Sequence, residues 1–421
     1  MSVLIKQATI VSKGSPLNGK RKDILIQNGI IASIADSINQ SAERVIAEDG
    51  LHISIGWIDS FAQFCDPGFE YRETIETGTK AAASGGFTDV LIIPNTDPVI
   101  STKSQVEYII QKSTNSGVKV HPIGSITKNA AGKELAEMYD MFNSGAIAFS
   151  DGLNSIQDGS LLLKALQYVK SIDGTVIQLP DDKTIGTNGL MNEGIISTQL
   201  GLPGKPAMAE EIMVARDIEL ANYAASKLHF TGISSSKSLE HIKNAKSAGV
   251  KISCSVTPYH LFFSDDDLQQ YDTNLKVNPP IRTKKDRQDL IEGLLDGTID
   301  FIASHHLPQN YDAKVCEFEY AKNGMIGLES LFGAVWSVVK NKWAIEELID
   351  RLSASPRKTF GLSIPEIKEG EIACLTLFNP ISNYTFEENN IQSKCTNSAF
   401  KGKQLSGKVV GIINGTHIHI N

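Results

Sequence analysis

Hydrophobic and polar residues alternate with two different rhythms along the chain. At both ends, short alternating runs such as VLIKQATIV, KDILIQNGIIASI and GKVVGIINGTHIHI are broken by glycine, asparagine and a Ser-Pro pair. A period of two is typical of half-buried strands, and Asn28-Gly29 between two such runs is a hairpin signal. The pattern therefore predicts that both termini contribute strands to one small β-domain.

The middle of the chain follows another rhythm. Short apolar runs that end in polar residues (TDVLIIPNT, TVIQLPD, LHFTGIS, TIDFIASHH) alternate with helical patterns (SLLLKALQYVK, AEEIMVARDIELANYAAS, KKDRQDLIEGLLDG). Strands that alternate with helices indicate βα units, and about seven or eight of them favour a closed (β/α)8 TIM barrel. We predict an α/β protein with a barrel over residues 54–364 and a composite β-sandwich formed by residues 1–53 and 365–421.

Composition narrows the function classes. The 421 residues include 40 Lys and Arg against 48 Asp and Glu, so the net charge of −8 disfavours a nucleic-acid partner. No apolar run reaches the length of about 18 residues that would suggest a membrane span. The five cysteines form no CxxC pair, and MSVLIKQATI lacks a long apolar core. These features predict a cytoplasmic protein without disulfides.

In a barrel of this kind the chemistry lies at the carboxyl ends of the strands. The first barrel strand is expected within GWIDSFAQF, residues 56–64, where Phe61 and Gln63 share one strand face. Later strand ends carry Asn95, Asp151, Leu179, Gly232 and the pair His305-His306.

Several long segments resemble the dihydroorotases of the amidohydrolase superfamily. They include DPGFEYRETIETGT, AIAFSDG, GLPGKPAMAEEIMVARDIELA, NLKVNPPIRT and GMIGLES, and the resemblance runs essentially end to end. It implies the interconversion of carbamoyl aspartate and dihydroorotate, with one or two zinc ions that polarise the carbonyl and lower the pKa of a bound water.

The resemblance also locates the family's zinc ligands on this chain. Its His-x-His pair falls on Phe61 and Gln63, its single histidines on Leu179 and Gly232, and its proton-shuttling aspartate on His305, so that Asp151 alone is retained. Phenylalanine, leucine and glycine cannot coordinate zinc, and glutamine is a weak neutral ligand, so no zinc is expected.

The family's substrate contacts are only partly retained. Cys65 replaces its carboxylate-binding arginine, and Gln309 replaces the second histidine of a His-Ala-Pro-His run. Asn95 and Asn278 match its other substrate contacts and are the candidate substrate-binding residues.

Less specific interpretations accompany these candidates. The carboxylate of Asp151 is expected to accept backbone N–H groups of its own turn, Ser150-Asp151-Gly152. A new metal site from Asp151, His305 and His306 stays open as the alternative. Asp181-Asp182 is interpreted as a solvated loop, Cys65 as an inert thiol, and His417 with His419 as a solvated edge strand.

Three functions follow. The leading hypothesis is a catalytically inactive dihydroorotase-like protein that acts as a structural or regulatory partner, with aspartate transcarbamoylase as the partner that the resemblance suggests and a homo-oligomer as a further possibility. The first alternative is a functional dihydroorotase with a rebuilt site. The second alternative is a sensor that binds a pyrimidine precursor through Asn95 and Asn278.

Overall fold

The computed structural model describes residues 2–421. The strands are β1 (Ser2–Val11), β2 (Arg21–Gln27), β3 (Ile30–Ala35), β4 (Arg44–Ile46), β5 (His52–Ile55), β6 (Trp57–Ala62), β7 (Phe87–Ile92), β8 (Lys119–Pro122), β9 (Thr175–Gln178), β10 (Met191–Asn192), β11 (Gly204–Lys205), β12 (Lys227–Phe230), β13 (Ile252–Val256), β14 (Phe301–Ile302), β15 (Cys374–Thr385), β16 (Gln404–Asn414) and β17 (His417–Ile420). The α-helices are α1 (Ile75–Ser84), α2 (Lys103–Ser113), α3 (Met138–Asn143), α4 (Gly159–Lys170), α5 (Ile195–Leu200), α6 (Met208–Ala224), α7 (Ser236–Ser247), α8 (Pro258–Phe262), α9 (Lys284–Asp296), α10 (Leu331–Val339), α11 (Ile345–Leu352) and α12 (Ala354–Thr359).

The parallel strands close into the predicted (β/α)8 barrel. One sheet has the order β6-β7-β8 and a second has the order β9-β12-β13-β14. Phe149 bridges Gly124 on one side and Val176 on the other, and His306 bridges Ala62, so these residues join the two sheets into a ring. The fourth barrel strand, within the segment AIAFSDG, therefore consists only of the bridges at Phe149.

Capping residues explain where several barrel helices begin. The Thr74 side chain accepts from Thr77 N–H before α1, Asp158 does the same for Ser160 and Leu161 before α4, and Thr283 does so before α9. These contacts satisfy N–H groups that a helix start leaves without an intrahelical partner. The helices predicted from the 3.6-residue period are all present.

Both termini form one β-domain, as predicted. Its eight-stranded sheet runs β17-β16-β15-β5-β1-β2-β3, and β4 pairs with β1. Asn28 and Gly29 connect β2 to β3 with φ of 49° and 81°, the left-handed pair that a two-residue hairpin requires. None of the described helices is both long and apolar enough to cross a membrane.

The loop between β15 and β16 leaves the β-domain and contacts the barrel. Asn397 accepts a hydrogen bond from Gln309 N–H at 3.0 Å, and the Phe400 ring lies 5.0 Å from that of Phe263. A segment close to the carboxyl terminus therefore helps to build the surroundings of the barrel mouth.

Candidate active site at the barrel mouth

The carboxyl ends of the barrel strands surround a cavity of about 260 Å³. Residues from both halves of the barrel line it: Phe61, Gln63, Phe69, Arg72, Ile93, Asn95, Leu153, Leu179, Tyr259, Val277, Asn278, His305, His306, Leu307, Gln309, Lys322, Asn323 and Gly324. Most of the strand-end residues singled out from the sequence therefore share one cavity. Asp151 and Gly232 are not part of its lining.

Three of the replaced positions pack against one another. The rings of Phe61 and His305 are stacked with centroids 4.5 Å apart, and both residues are buried. A Cβ atom added to Gly232 would lie 2.6 Å from His305 Cε1, closer than real Cβ contacts allow. Glycine at this position therefore makes room for the imidazole ring, and this part of the barrel mouth is filled as a core would be.

The His305 ring is held in its neutral form. Its Nε2 lies 2.7 Å from Thr231 Oγ1, and burial lowers the pKa of His305 to about 3. The residue also has a φ of 45°, the left-handed conformation, where the chain leaves β14. A neutral ring that is stacked and hydrogen-bonded is a wall of the cavity, and it cannot act as a general acid near neutral pH.

The carboxylate of Asp151 points away from the cavity. It accepts hydrogen bonds from the backbone N–H groups of Ile126 and Thr127, both at 2.9 Å, and from the Thr127 hydroxyl. Burial raises the pKa of Asp151, although these bonds act in the opposite direction. The expectation of backbone donors is correct, but the donors belong to the loop after β8 and not to the residue's own turn.

The other two replaced positions offer little to a metal ion. Gln63 is buried and donates through Nε2 to the Asn95 carbonyl at 2.7 Å, which leaves its Oε1 without a hydrogen-bond partner among the described residues. Leu179 is a buried aliphatic side chain. Across residues 2–421, no group of three or more His, Cys, Asp or Glu side chains is arranged to hold a metal ion.

The amides of both candidate substrate contacts already have partners within the protein. Asn95 donates to the Asp151 carbonyl at 3.1 Å and accepts from Leu153 N–H at 3.0 Å. Asn278 accepts from Lys205 Nζ at 2.9 Å and donates to Asp181 at 3.2 Å. Asn95 thus shapes the loop at its strand end, whereas Asn278 belongs to a charged cluster at the cavity rim.

That cluster corrects the interpretation of Asp181-Asp182 as a solvated loop. Asp181 is buried, and Lys205 Nζ lies 2.7 Å from its carboxylate. Asp182 is the half-buried member of the pair, and it accepts from Thr184 N–H at 2.8 Å. Lys205 stands 24 positions after Asp181 in the chain, and no sequence pattern predicts that the two residues pair. Only the fold brings them together.

Two more candidates belong to the scaffold, Cys65 as a buried group and His419 as a half-buried one. Burial raises the pKa of the Cys65 thiol to about 12, so the side chain stays protonated and unreactive. His419 lies 2.8 Å from Ser84 Oγ, which places it against α1 and not on a freely solvated edge.

Sequence reasoning did not single out the cations of the cavity. Arg72 and Lys322 line it, and no aspartate or glutamate of the described chain does. A cavity walled by two cations and by amide groups favours an anionic ligand. Arg72 stands within the DPGFEYRETIETGT segment, but only the folded loop shows that its side chain reaches the cavity.

The comparisons with known proteins first define the class. The solved structure of an L-hydantoinase (dihydropyrimidinase) from Arthrobacter aurescens superposes with a TM-score of 0.85, covering 99% of this chain and 95% of that one at 22% identity. A D-hydantoinase structure superposes with a TM-score of 0.84 at 21% identity, covering 100% and 95%. At these identities the likeness defines the fold, a barrel of the amidohydrolase type with a β-domain built from the termini.

The family follows from closer relatives. A "Dihydro-orotase-like" family model matches residues 52–238. A dihydroorotase of Acetivibrio thermocellus is 40% identical over 417 residues, covering 98% of both chains. One from Ruminiclostridium cellulolyticum is 39% identical over 99% of this chain and 98% of its own. The chain belongs to the dihydroorotase family.

These relatives correct the leading functional hypothesis. Proteins named dihydroorotase match nearly the whole chain at about this identity, one from Syntrophus aciditrophicus being 37% identical over 97% of each chain. The prediction of an inactive structural partner is wrong. It gave more importance to a few strand-end residues than to a similarity that spans the barrel and the β-domain. The alternative of a functional dihydroorotase is the one that the relatives support.

Proposed function

We propose that the chain is a dihydroorotase that interconverts carbamoyl aspartate and dihydroorotate in the barrel-mouth cavity. The similarity to dihydroorotases over 97–99% of the chain carries this proposal. The cavity supports it, because both compounds are anions, Arg72 and Lys322 line its wall, and no aspartate or glutamate of the described chain does. Its volume of about 260 Å³ also suits a small ring, since pockets for drug-sized ligands begin at about 300 Å³.

We further propose that this site works without the family's zinc ligand set. Phe61, Leu179 and Gly232 offer no donor atom, and the ring of His305 is committed to Phe61 and Thr231. Asp151 directs both carboxylate oxygens at the loop after β8. Zinc requires about four nitrogen, sulfur or oxygen ligands at one point. The donors present here do not meet that requirement, so we route no step through a metal ion.

The contribution of the chain to the reaction is then binding and orientation. Ring closure joins the ureido nitrogen of carbamoyl aspartate to its side-chain carboxyl carbon, and a C–O bond breaks as water leaves. Fixing both groups at contact distance removes much of the entropic part of that barrier. Gln63 lines the cavity and its Oε1 has no hydrogen-bond partner among the described residues, so we propose it as the acceptor for an N–H of the ureide.

Asn95 and Asn278 stay proposed as substrate contacts. Asn278 lines the cavity next to the Lys205–Asp181 pair, so a substrate carbonyl or carboxylate that drew Lys205 toward it would free Asn278 Oδ1. Association with aspartate transcarbamoylase and self-association also stay predictions, which light scattering of the protein alone and of the mixture would test.

The test is an assay of both reaction directions on protein produced in a host that lacks its own dihydroorotase. We expect turnover after chelation and little zinc per chain by metal mass spectrometry. Turnover only with added zinc would uphold the activity and overturn the metal-free site. Absence of turnover under both conditions would overturn the proposed activity, and binding of dihydroorotate without turnover would favour the sensor instead.

A further inference from the structure

We propose that Arg72 is the residue that anchors the carboxylate of the ligand in the barrel mouth. The inference deepens the proposed function and rests on it for the identity of the ligand. The cations in the cavity wall suggest an anionic ligand, and we assign its recognition to the side chain of Arg72.

The guanidinium group of Arg72, a half-buried residue, lacks a carboxylate partner. It forms no ion pair within 4.0 Å with any carboxylate of residues 2–421, and its Nε is buried without a hydrogen-bond partner. The one side-chain acceptor near it is Gln309 Oε1, 3.4 Å from Nη1. A guanidinium group that lies on a cavity wall without a carboxylate partner can bind the carboxylate of a ligand through two parallel hydrogen bonds.

The neighbouring carboxylate is not available to neutralise this charge. Glu73 is buried and accepts hydrogen bonds from the hydroxyls of Thr77 and Ser393 and from Lys394 N–H. Its Oε2 also lies 3.5 Å from His306 Nε2. Burial opposes ionisation of Glu73, but the nearby His306 ring and the hydrogen bonds from Ser393 and Thr77 outweigh it and lower the pKa of this carboxyl group. Glu73 thus serves the scaffold behind Arg72.

The arginine is oriented before any ligand arrives. Its guanidinium carbon lies 4.7 Å from the centroid of the Phe69 ring and 5.9 Å from that of Tyr71. Its backbone N–H donates to the Phe69 carbonyl at 2.9 Å, and its own carbonyl accepts from Cys395 Sγ at 3.1 Å. Because the loop and the ring fix the side chain, little conformational entropy is lost when it binds an anion.

Arg72 supplies a positive charge in the same loop in which Cys65 supplies none. Cys65 stands where the resemblance places a carboxylate-binding arginine, and its buried thiol carries no charge. Arg72 follows seven residues later, on the loop that joins β6 to α1, and lines the same cavity. The loop therefore still offers a cation to the ligand, and this cation comes from position 72 rather than from position 65.

Calorimetric titration with two ligands tests the inference. Dihydroorotate carries the carboxylate, and dihydrouracil has the same ring without it. We expect Arg72→Gln to weaken dihydroorotate binding about 10- to 100-fold, the effect of removing a charge-assisted hydrogen-bonded contact. Dihydrouracil binding should change less than about twofold, and Arg72→Lys should recover part of the loss, since lysine keeps the charge but not the fork.

Arg44→Gln, an exposed arginine on β4 of the β-domain, is the matched control and should bind both ligands as the wild type does. A melting temperature within ~2 °C of the wild type shows that the Arg72 variants are folded. Equal losses for both ligands, unchanged dihydroorotate binding in Arg72→Gln, or no binding by the wild type at millimolar ligand would each overturn the inference. Carboxylate-dependent binding without turnover would uphold it while the proposed catalytic activity failed.

Discussion

The two ends of the barrel differ in whether their charged side chains have an oppositely charged partner. At the amino-terminal ends of β6 and β7, Asp89 lies between Arg357 Nη2 at 2.5 Å and His121 Nε2 at 2.9 Å. Burial opposes its ionisation, but His121 and Arg357 together hold the pKa of Asp89 at about 2. At the mouth, neutral rings fill the centre, and Arg72 is left without a carboxylate partner among the described residues.

The difference separates stability from ligand binding. A buried charge that is fully paired contributes to a fixed structure, and removing one partner leaves the other uncompensated. A cation without a partner on a cavity wall does not stabilise the fold in that way and is available to a ligand. The same barrel therefore has one end that holds it together and another that can select an anion, as is general for this architecture.

The largest effect is expected at the paired end. Arg357→Met should lower the free energy of unfolding by about 3–5 kcal/mol, because Asp89 would stay buried with only the His121 ring and the Thr88 hydroxyl as partners. Urea denaturation measures this change. The control is Lys80→Met, which breaks the exposed pair with Glu76 and should cost less than about 0.5 kcal/mol. Equal effects of the two substitutions would remove the contrast between a buried network and a surface pair.

The filled mouth should respond to a single methyl group. Gly232→Ala places a Cβ atom 2.6 Å from His305 Cε1 at a φ of 70°, so we expect about 1–3 kcal/mol of destabilisation. Gly249→Ala is the control for backbone strain alone, since it shares a positive φ of 81° and meets nothing within 4 Å.

The ring contact itself can be isolated by a double substitution. In the His305→Ala background, Gly232→Ala should cost only about as much as Gly249→Ala does in the wild type, because the ring that the new methyl group meets is gone. Additive losses from the two substitutions would show that the ring does not fill the space next to Gly232.

The last prediction concerns the neutral ring of His305 and the dependence of the free energy of unfolding on pH. Burial lowers the pKa of His305 from 6.5 to about 3, so on acidification the unfolded chain binds a proton first. The stability contributed by the neutral ring is present above about pH 6.5 and is lost between 6.5 and 3, at up to about 1.4 kcal/mol per pH unit. Burial lowers the pKa of His229 and His260 to about 3 as well, and they act in the same direction.

His305→Phe should therefore reduce the slope of stability against pH by one residue's share, because four other histidines whose pKa burial lowers remain: His52, His229, His260 and His419. Denaturation midpoints at several pH values between 3 and 7 measure the slope. An unchanged slope would mean that His305 is not held neutral by the fold.

Much of the fold could be predicted because its signals are local. Helix caps, the Asn28-Gly29 hairpin and the apolar strand runs each depend on neighbours within a few residues. The fourth strand of the barrel was harder to predict, since Phe149 pairs through bridges to Gly124 and Val176 rather than through a ladder. The resemblance assigns the family's metal-ligand positions to residues of this chain, but it does not show the space that the side chains there fill.

The site depended on contacts between distant residues. Asp151 takes its donors from residues 24 and 25 positions away, and Asn278 meets Asp181 across 97 positions. No pattern along the chain encodes such pairs, because they arise only when different strand ends converge at one mouth.

The order of the residues decided the barrel, the β-domain and the identities of the side chains at each strand end, since periodicity and capping act over short distances. Tertiary structure decided which of those side chains meet. It stacked His305 on Phe61 beside Gly232, turned Asp151 away from the cavity, and left Arg72 facing it. Burial and pairing, which set the charge state and the availability of each group, exist only in the folded chain.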